Sequence, residues 1–191
     1  MKRIILASAS PRRKALLEQI GLKFTVDTQA QEDTELAGRE PHQLAREISL
    51  KKAESVASHY PDSIIIAADT IGVIEGRIIG KPHSESEASA MLALLIGKSH
   101  TVITGFTVLD TLTRKAVSRS VETTVHMRRI TASEIKAYVQ TGEPLDKAGS
   151  YAIQGLGAVL VEKIEGDYSN VMGLPLSALA EVLKEFGVNV V

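Results

Sequence analysis

Ser8-Ala9-Ser10-Pro11-Arg12-Arg13 carries the densest chemistry in the sequence. Ser10 suits a helix N-cap and Pro11 a first helical residue, so a turn here offers backbone N–H groups and the Ser8 and Ser10 hydroxyls to an anion. Arg12 and Arg13 then fall in the first helical turn, where a cation opposes the helix dipole at a cost of ~0.3–1 kcal/mol unless an anion pairs with it. A triphosphate would resolve that conflict; the alternative is a solvated basic turn. Lys52 presents a second conflict. It stands four residues after Ile48 and four before Val56, within the apolar stripe of a helix, and needs an anionic partner or a path to solvent. Lys51 lies nearer the stripe's edge and is expected outside.

Asp69-Thr70 interrupts the apolar run Ile64-Ile65-Ile66-Ala67-Ala68. This places Asp69 at the carboxyl edge of a central strand, where open α/β sheets bind ligands; a carboxylate there is functional or a helix cap, and since no helix pattern follows directly, function is the expectation. Lys81, between Gly80 and Pro82, is either a phosphate clamp or a turn residue. Gln154, beside Gly155, can present its amide to a base edge, accepting from N3–H and donating to O4 of uracil or thymine. Guanine offers a similar pair, so the amide alone does not choose the base, and an ordinary loop hydrogen bond is the plain alternative.

The elements that must position these residues alternate between strand and helix. Ile4 to Ala7 reads as a short buried strand and Leu16, Leu17 and Ile20 as a helical stripe stopped by Gly21. Lys23 to Asp27 alternates like a strand, Thr28 to Glu40 is an acidic loop, and a helix opens near Pro41 with Leu44, Ile48 and Val56 on one face. Val73 to Ile79 predicts a hairpin around Glu75-Gly76, and Ser84 with Glu87 predicts a capped helix through Ile96. Thr101 to Leu109 and Ala116 to His126 are two β-branched strands joined across Asp110 to Lys115. Thr131 and Glu134 start a helix to about Gln140, Gly142 to Ser150 is loop, Ala158 to Ile164 a strand, and Leu176 to Phe186 a last helix ended by Gly187. The class is α/β, with a mixed, twisted sheet and flanking helices in a single domain over residues 1–191.

Composition narrows the chemistry. The 22 basic residues are balanced by 23 acidic ones for a net charge of -1, so there is no broad field for a nucleic acid polymer, and any phosphate site is local. The absence of cysteine excludes thiolate nucleophiles and Cys-ligated metals and fits the cytoplasm. Met1-Lys2-Arg3 before Ile4 imitates a signal peptide, but the apolar run is too short, and no stretch reaches the ~20 apolar residues of a membrane span. Gly76 to Pro82 and Gly97-Lys98-Ser99 fail as P-loops. The five histidines, 42, 59, 83, 100 and 126, show no metal-ligand spacing, so most are expected at the surface.

In order along nearly the whole chain, Leu6 to Arg13, Lys52-Ala53, Ala68-Asp69-Thr70, Gly80-Lys81-Pro82, Gly142 to Gly149, Ile153-Gln154-Gly155, and Tyr168-Ser169-Asn170-Val171 through Gly173-Leu174-Pro175 resemble the Maf family of nucleotide pyrophosphatases. The resemblance implies an elongated fold of the inosine-triphosphatase kind, two lobes around a central cleft, hydrolysis at the α-phosphorus of a nucleoside triphosphate, and a divalent cation, magnesium or manganese. It also implies a homodimer. By the same likeness Asp69 matches the catalytic proton acceptor, while Arg12, Thr70 and Gln154 match positions that set base preference. Thr70 with Gln154 resembles the branch acting on dTTP and UTP; a sister branch acting on methylated GTP usually carries another residue after the aspartate. Where the family commonly has Glu followed by Thr or Ser, this chain has Asp33 preceded by Glu32, which leaves open whether Asp33, Glu32 or neither helps Asp69 hold the metal.

The combined expectation is a triphosphate on the Ser8–Arg13 turn, with Arg13, Lys52 and Lys81 offsetting charge as pyrophosphate leaves. Asp69 either deprotonates the water or holds the metal that activates it. The rival expectation is a nucleotide-binding regulator of cell division and septum formation that does not hydrolyse its ligand.

Overall fold

The computed structural model describes residues 2–30 and 40–190. Its organising strand is β3 (Ser63–Ile74), whose first half from Ile64 to Ala68 is buried throughout. β1 (Arg3–Ala7) pairs with it in parallel, from Arg3 opposite Ser63 to Ala7 opposite Ala67, and β2 (Thr25–Asp27) pairs in parallel with β1. β4 (Arg77–Ile79) turns back antiparallel on the far end of β3 through Glu75 and Gly76, both at positive φ, which is the tight hairpin that Glu-Gly predicts. Adding β5 (Ser99–Asp110), β6 (Ala116–Met127) and β7 (Val161–Glu165), the described residues form a seven-stranded mixed sheet in the order β2-β1-β3-β5-β6-β7, with β4 on β3.

The chain divides into two compact units. The first comprises Met1–Thr70, Thr104–Val121 and Gly173–Val191. It contains α1 (Pro11–Gln19), α2 (Pro41–Ala57) and α6 (Leu176–Lys184). α2 buries Leu44, Ala45, Ile48, Ser49, Lys52, Ala53, Val56 and Ala57, the i, i+4 stripe read from the sequence. Ala53, Val56 and Ala57 of that stripe join Ile5 and Ala7 of β1, Ile65 and Ala67 of β3, and Leu109 of β5 in one cluster. Gly105 of β5 lets the helix approach: a Cβ built there would stand 2.2 Å from the Ala45 carbonyl carbon.

The second unit comprises Ile71–Ile103 and Glu122–Met172, with α3 (Glu85–Leu95), α4 (Ala132–Val139) and α5 (Tyr168–Met172). Ile74, Leu92, Leu95, Val102, Val125, Tyr138 and Tyr151 belong to its core. Thr131 and Glu134 form the reciprocal capping box expected at the start of α4. Three boundaries differ from the sequence reading. β3 continues through Asp69 and Thr70 to Ile74, because burial resumes at Ile71 and β4 supplies a new pairing partner from Gly72 onward. Residues Gly155–Leu160 form a 3-10 turn, so β7 starts at Val161 instead of Ala158. Asp167 to Asn170 has the polar composition of a loop, yet Tyr168–Met172 is helical, its first turn held by the Asp167 carboxylate, which accepts from the Ser169 and Asn170 N–H groups. Among the described residues no helix is long and apolar enough to cross a membrane.

His100 departs from the surface placement expected of most histidines. It is 4% exposed, and its Nε2 lies 2.8 Å from the Tyr151 hydroxyl. Burial pushes its imidazole down to about 4 from an ordinary 6.5, with His126 adding to the effect. The unfolded chain therefore binds a proton near pH 6.5 that the folded chain refuses until near pH 4, so stability is full above pH 6.5 and falls as the pH drops toward 4. From pH 7 to pH 5 the loss from this group is about 2 kcal/mol. Urea unfolding at the two pH values should show it, and His100→Gln should remove most of the difference; an unchanged difference in the variant would contradict the assignment.

Candidate active site

The inward lysine of α2 finds its anion. Lys52 Nζ donates to Asp69 Oδ1 at 2.6 Å, with side-chain exposures of 5% and 19%. Two periodicities bring them together. Along β3 alternate residues share a face, so Asp69 follows Ile65 and Ala67, which pack in the same cluster as Ala53, Val56 and Ala57 of α2. Along α2 the four-residue step from Ile48 to Val56 aims Lys52 at that same face. Asp69 is not at the end of its own strand, as the sequence suggested. It lies beyond the end of β1, whose ladder with β3 stops at Ala7 opposite Ala67, because the chain leaves the sheet there for the turn into α1.

Thr70, one residue on, faces the opposite side of β3. Its hydroxyl lies 2.9 Å from that of Thr104 and accepts from Arg13 Nη2 at 3.1 Å. Arg13 also donates from Nη1 to Ser8 Oγ at 3.2 Å and from Nε to the Gly173 carbonyl at 2.8 Å. One guanidinium thus ties together β1's exit turn, β3 and the segment before α6. Ser10 Oγ caps α1 by accepting from Arg13 N at 3.4 Å, and Ser8 Oγ accepts from Ser10 N at 3.2 Å. The turn has the N-cap geometry predicted, but two of its N–H groups are engaged by its own serines and were not, as the sequence suggested, open to an anion. Arg12, beside them in α1, is partly exposed.

All six lie in the first unit, as two groups: Ser8, Ser10, Arg13 and Thr70 share one hydrogen-bonded set, and Lys52 pairs with Asp69 on the other face of β3. Lys81 and Gln154 belong to the second unit and are exposed. Lys81 follows β4, where the Gly80 carbonyl accepts from Gly149 N at 3.0 Å, and Gln154 opens the 3-10 turn Gly155–Leu160. Glu32 and Asp33 lie outside the described residues. Among the described residues no group of three or more His, Asp or Glu is gathered to hold a metal.

Two participants escaped the sequence reading. Thr104 is fully buried, and its only signal is a hydroxyl inside an apolar strand. Gly173, quoted without a role, has φ of +113°, and a Cβ there would sit 3.4 Å from both Arg13 Nε and Thr70 Oγ1. A side chain at that position would press on the contact between Arg13 and Thr70.

The profile described as Maf-like protein matches residues 3–186. The dTTP/UTP pyrophosphatase of Methanosarcina barkeri is 50% identical over 191 residues, covering 100% of this chain and 97% of that protein. The dTTP/UTP pyrophosphatase of Pelotomaculum thermopropionicum is 44% identical over 190 residues, covering 100% of each. Among solved structures, the Staphylococcus aureus Ham1 protein matches with a TM-score of 0.54 at 12% identity, over 97% of this chain and 100% of that one. A HAM1 protein from Coxiella burnetii matches with a TM-score of 0.52 at 15% identity and the same coverage. At such identities the likeness is one of fold, and it agrees with the inosine-triphosphatase-like α/β architecture expected from the sequence.

The buried pair makes a stability prediction. Lys52→Met leaves the Asp69 carboxylate without its ammonium and should lower the unfolding free energy by about 3 kcal/mol. Adding Asp69→Asn to that variant should restore part of the loss, since the stranded charge is gone. A double-mutant cycle by urea unfolding reads the coupling, and losses that simply add would contradict it.

Proposed function

The chain belongs to the Maf family, and from that premise we propose that it hydrolyses dTTP and UTP to their monophosphates and pyrophosphate. The observation that carries the reading is the Lys52–Asp69 pair beyond the end of β1, beside a turn that already binds its own arginine. The substrate comes from the relatives, which bear the name dTTP/UTP pyrophosphatase across their whole length. Thr70 and Gln154 support the same branch.

In this proposal a water attacks the α-phosphorus, the new P–O bond forms as the bond to the β-phosphate oxygen breaks, and pyrophosphate leaves with the electron pair. Asp69 takes the proton from that water. Lys52, holding Oδ1, fixes the carboxylate's direction, so Oδ2 is the oxygen directed at the water. Arg13 keeps the Ser8 turn and Thr70 in register, and its charge with that of Lys81 offsets negative charge on the departing group. Ser8 and Ser10 line the phosphate turn. Gln154 accepts from N3–H and donates to O4 of the pyrimidine, with Arg12 beside Thr70 in setting base preference.

A divalent cation, magnesium or manganese, is part of the proposal. Where Asp69 holds the ion instead of taking the proton, Oδ2 is its remaining hard oxygen, since Oδ1 is on Lys52, a set suited to an ion that takes one or two carboxylates and completes its shell with substrate phosphates. Bound there, it would draw charge from the phosphate oxygens. Glu32 or Asp33 would be the second carboxylate. A cytoplasmic homodimer completes the reading.

Pyrophosphate release should favour dTTP and UTP over other canonical triphosphates, stop with EDTA and return with magnesium or manganese. Asp69→Asn should lower turnover by about 100-fold or more with nucleotide binding retained. Because that variant removes the carboxylate from a largely buried ion pair, its fold is checked by circular dichroism before turnover is read. Binding without turnover on every triphosphate would favour the regulatory reading instead.

A further inference from the structure

Gln154 opens a 3-10 turn without capping it: its side chain makes no hydrogen bond to the turn it begins. The first N–H groups of such a turn need an acceptor from elsewhere when the residue before it does not cap them. Here a residue eleven positions earlier supplies it. Glu143 Oε2 accepts from Leu156 N at 3.0 Å, and Oε1 accepts from Gly157 N at 2.8 Å and from the Tyr138 hydroxyl at 2.8 Å. The Tyr138 hydroxyl in turn accepts from Ala152 N at 3.3 Å. The main chain is therefore held two residues before Gln154 and again two and three residues after it, all by one carboxylate–phenol pair.

The rest of the turn is shaped around that pair. Gly155 has φ of +70°, and a Cβ there would stand 2.6 Å from Glu143 Oε2; a Cβ on Gly157 would stand 2.5 Å from the Tyr138 hydroxyl. Tyr138 is buried in the core at the end of α4, and Glu143 N donates to Thr141 Oγ1 at 3.2 Å, so the anchor is itself fixed. Burial works to raise the Glu143 carboxyl, but the Gly157 and Leu156 N–H groups and the Tyr138 hydroxyl outweigh it and hold the group below the usual carboxylate range. It is ionised at neutral pH, as an acceptor of three donors must be.

We propose that Glu143 is the positioning residue for base recognition: by holding the main chain on both sides of Gln154, directly at Leu156 and Gly157 and through Tyr138 at Ala152, it fixes the place from which the exposed Gln154 amide meets the pyrimidine edge. This rests on the reading that Gln154 contacts the base. Glu143 touches no reacting atom, so it acts on which nucleotide binds and leaves the chemical step alone.

The test is steady-state hydrolysis of dTTP and dCTP by Glu143→Gln, Tyr138→Phe and Gln154→Ala beside the unmodified protein. Glu143→Gln sets an NH2 group against donors, and should raise KM for dTTP about tenfold, leave kcat within about threefold, and collapse the preference for dTTP over dCTP. Tyr138→Phe, which cuts the link to Ala152, should move the same quantities the same way by less, and stands in if Glu143→Gln does not fold. If Gln154→Ala shifts the preference but neither anchor variant does, the positioning role is overturned. A fall in kcat by the same factor for both nucleotides would likewise overturn it, as a merely structural role. If Gln154→Ala leaves the preference intact, the base-reading premise is what has failed.

Discussion

A buried ammonium cannot stand alone, and the site follows from how this chain answers that constraint. Lys52 lies in the middle of an apolar helix stripe, and desolvating its charge is tolerable only with a counter-ion at hydrogen-bonding distance. β3 supplies an anion on the face that α2 covers, at a point where β1 no longer pairs with it. Asp69 meets these conditions because β1 ends at Ala7 and β3 does not. The helix stripe, the early end of one strand and the long run of the next are parts of one arrangement. The carboxylate it presents is the one the proposed chemistry needs.

Much of this was legible in the residues. Period 3.6 placed Lys52 on the buried face, and the break in an apolar run marked Asp69 and Thr70 as exceptions that a purely structural strand would not carry. Local turn chemistry located the Glu75-Gly76 hairpin and the start of α4, since those features depend on neighbouring residues alone. What stayed hidden was non-local. The length of β3 is set by partners on two other segments, and a strand with a polar interruption looks finished when read alone. The arginine's partners include a carbonyl 160 residues away. Nothing near Thr104 announces that its hydroxyl will meet Thr70.

Arg13 also shows how a local conflict can be resolved twice. A cation in a helix's first turn is costly, and the sequence argued for a phosphate to relieve it. In the folded chain its guanidinium first serves the protein, joining Ser8, Thr70 and the Gly173 carbonyl. These three neutral oxygens set the direction of the guanidinium. Glu143 is the complementary case, a negative group held by two backbone N–H groups and one phenol. Its segment was recognisable by resemblance, but its contribution became visible only once the turn after Gln154 was seen to lack a cap of its own.

The account stands on water attacking at the α-phosphorus under the direction of Asp69. Hydrolysis of dTTP in water enriched in oxygen-18, followed by mass spectrometry of the products, locates the attacked phosphorus directly. The account predicts the label in dTMP and none in pyrophosphate. Label in pyrophosphate, or release of orthophosphate and dTDP, would contradict it.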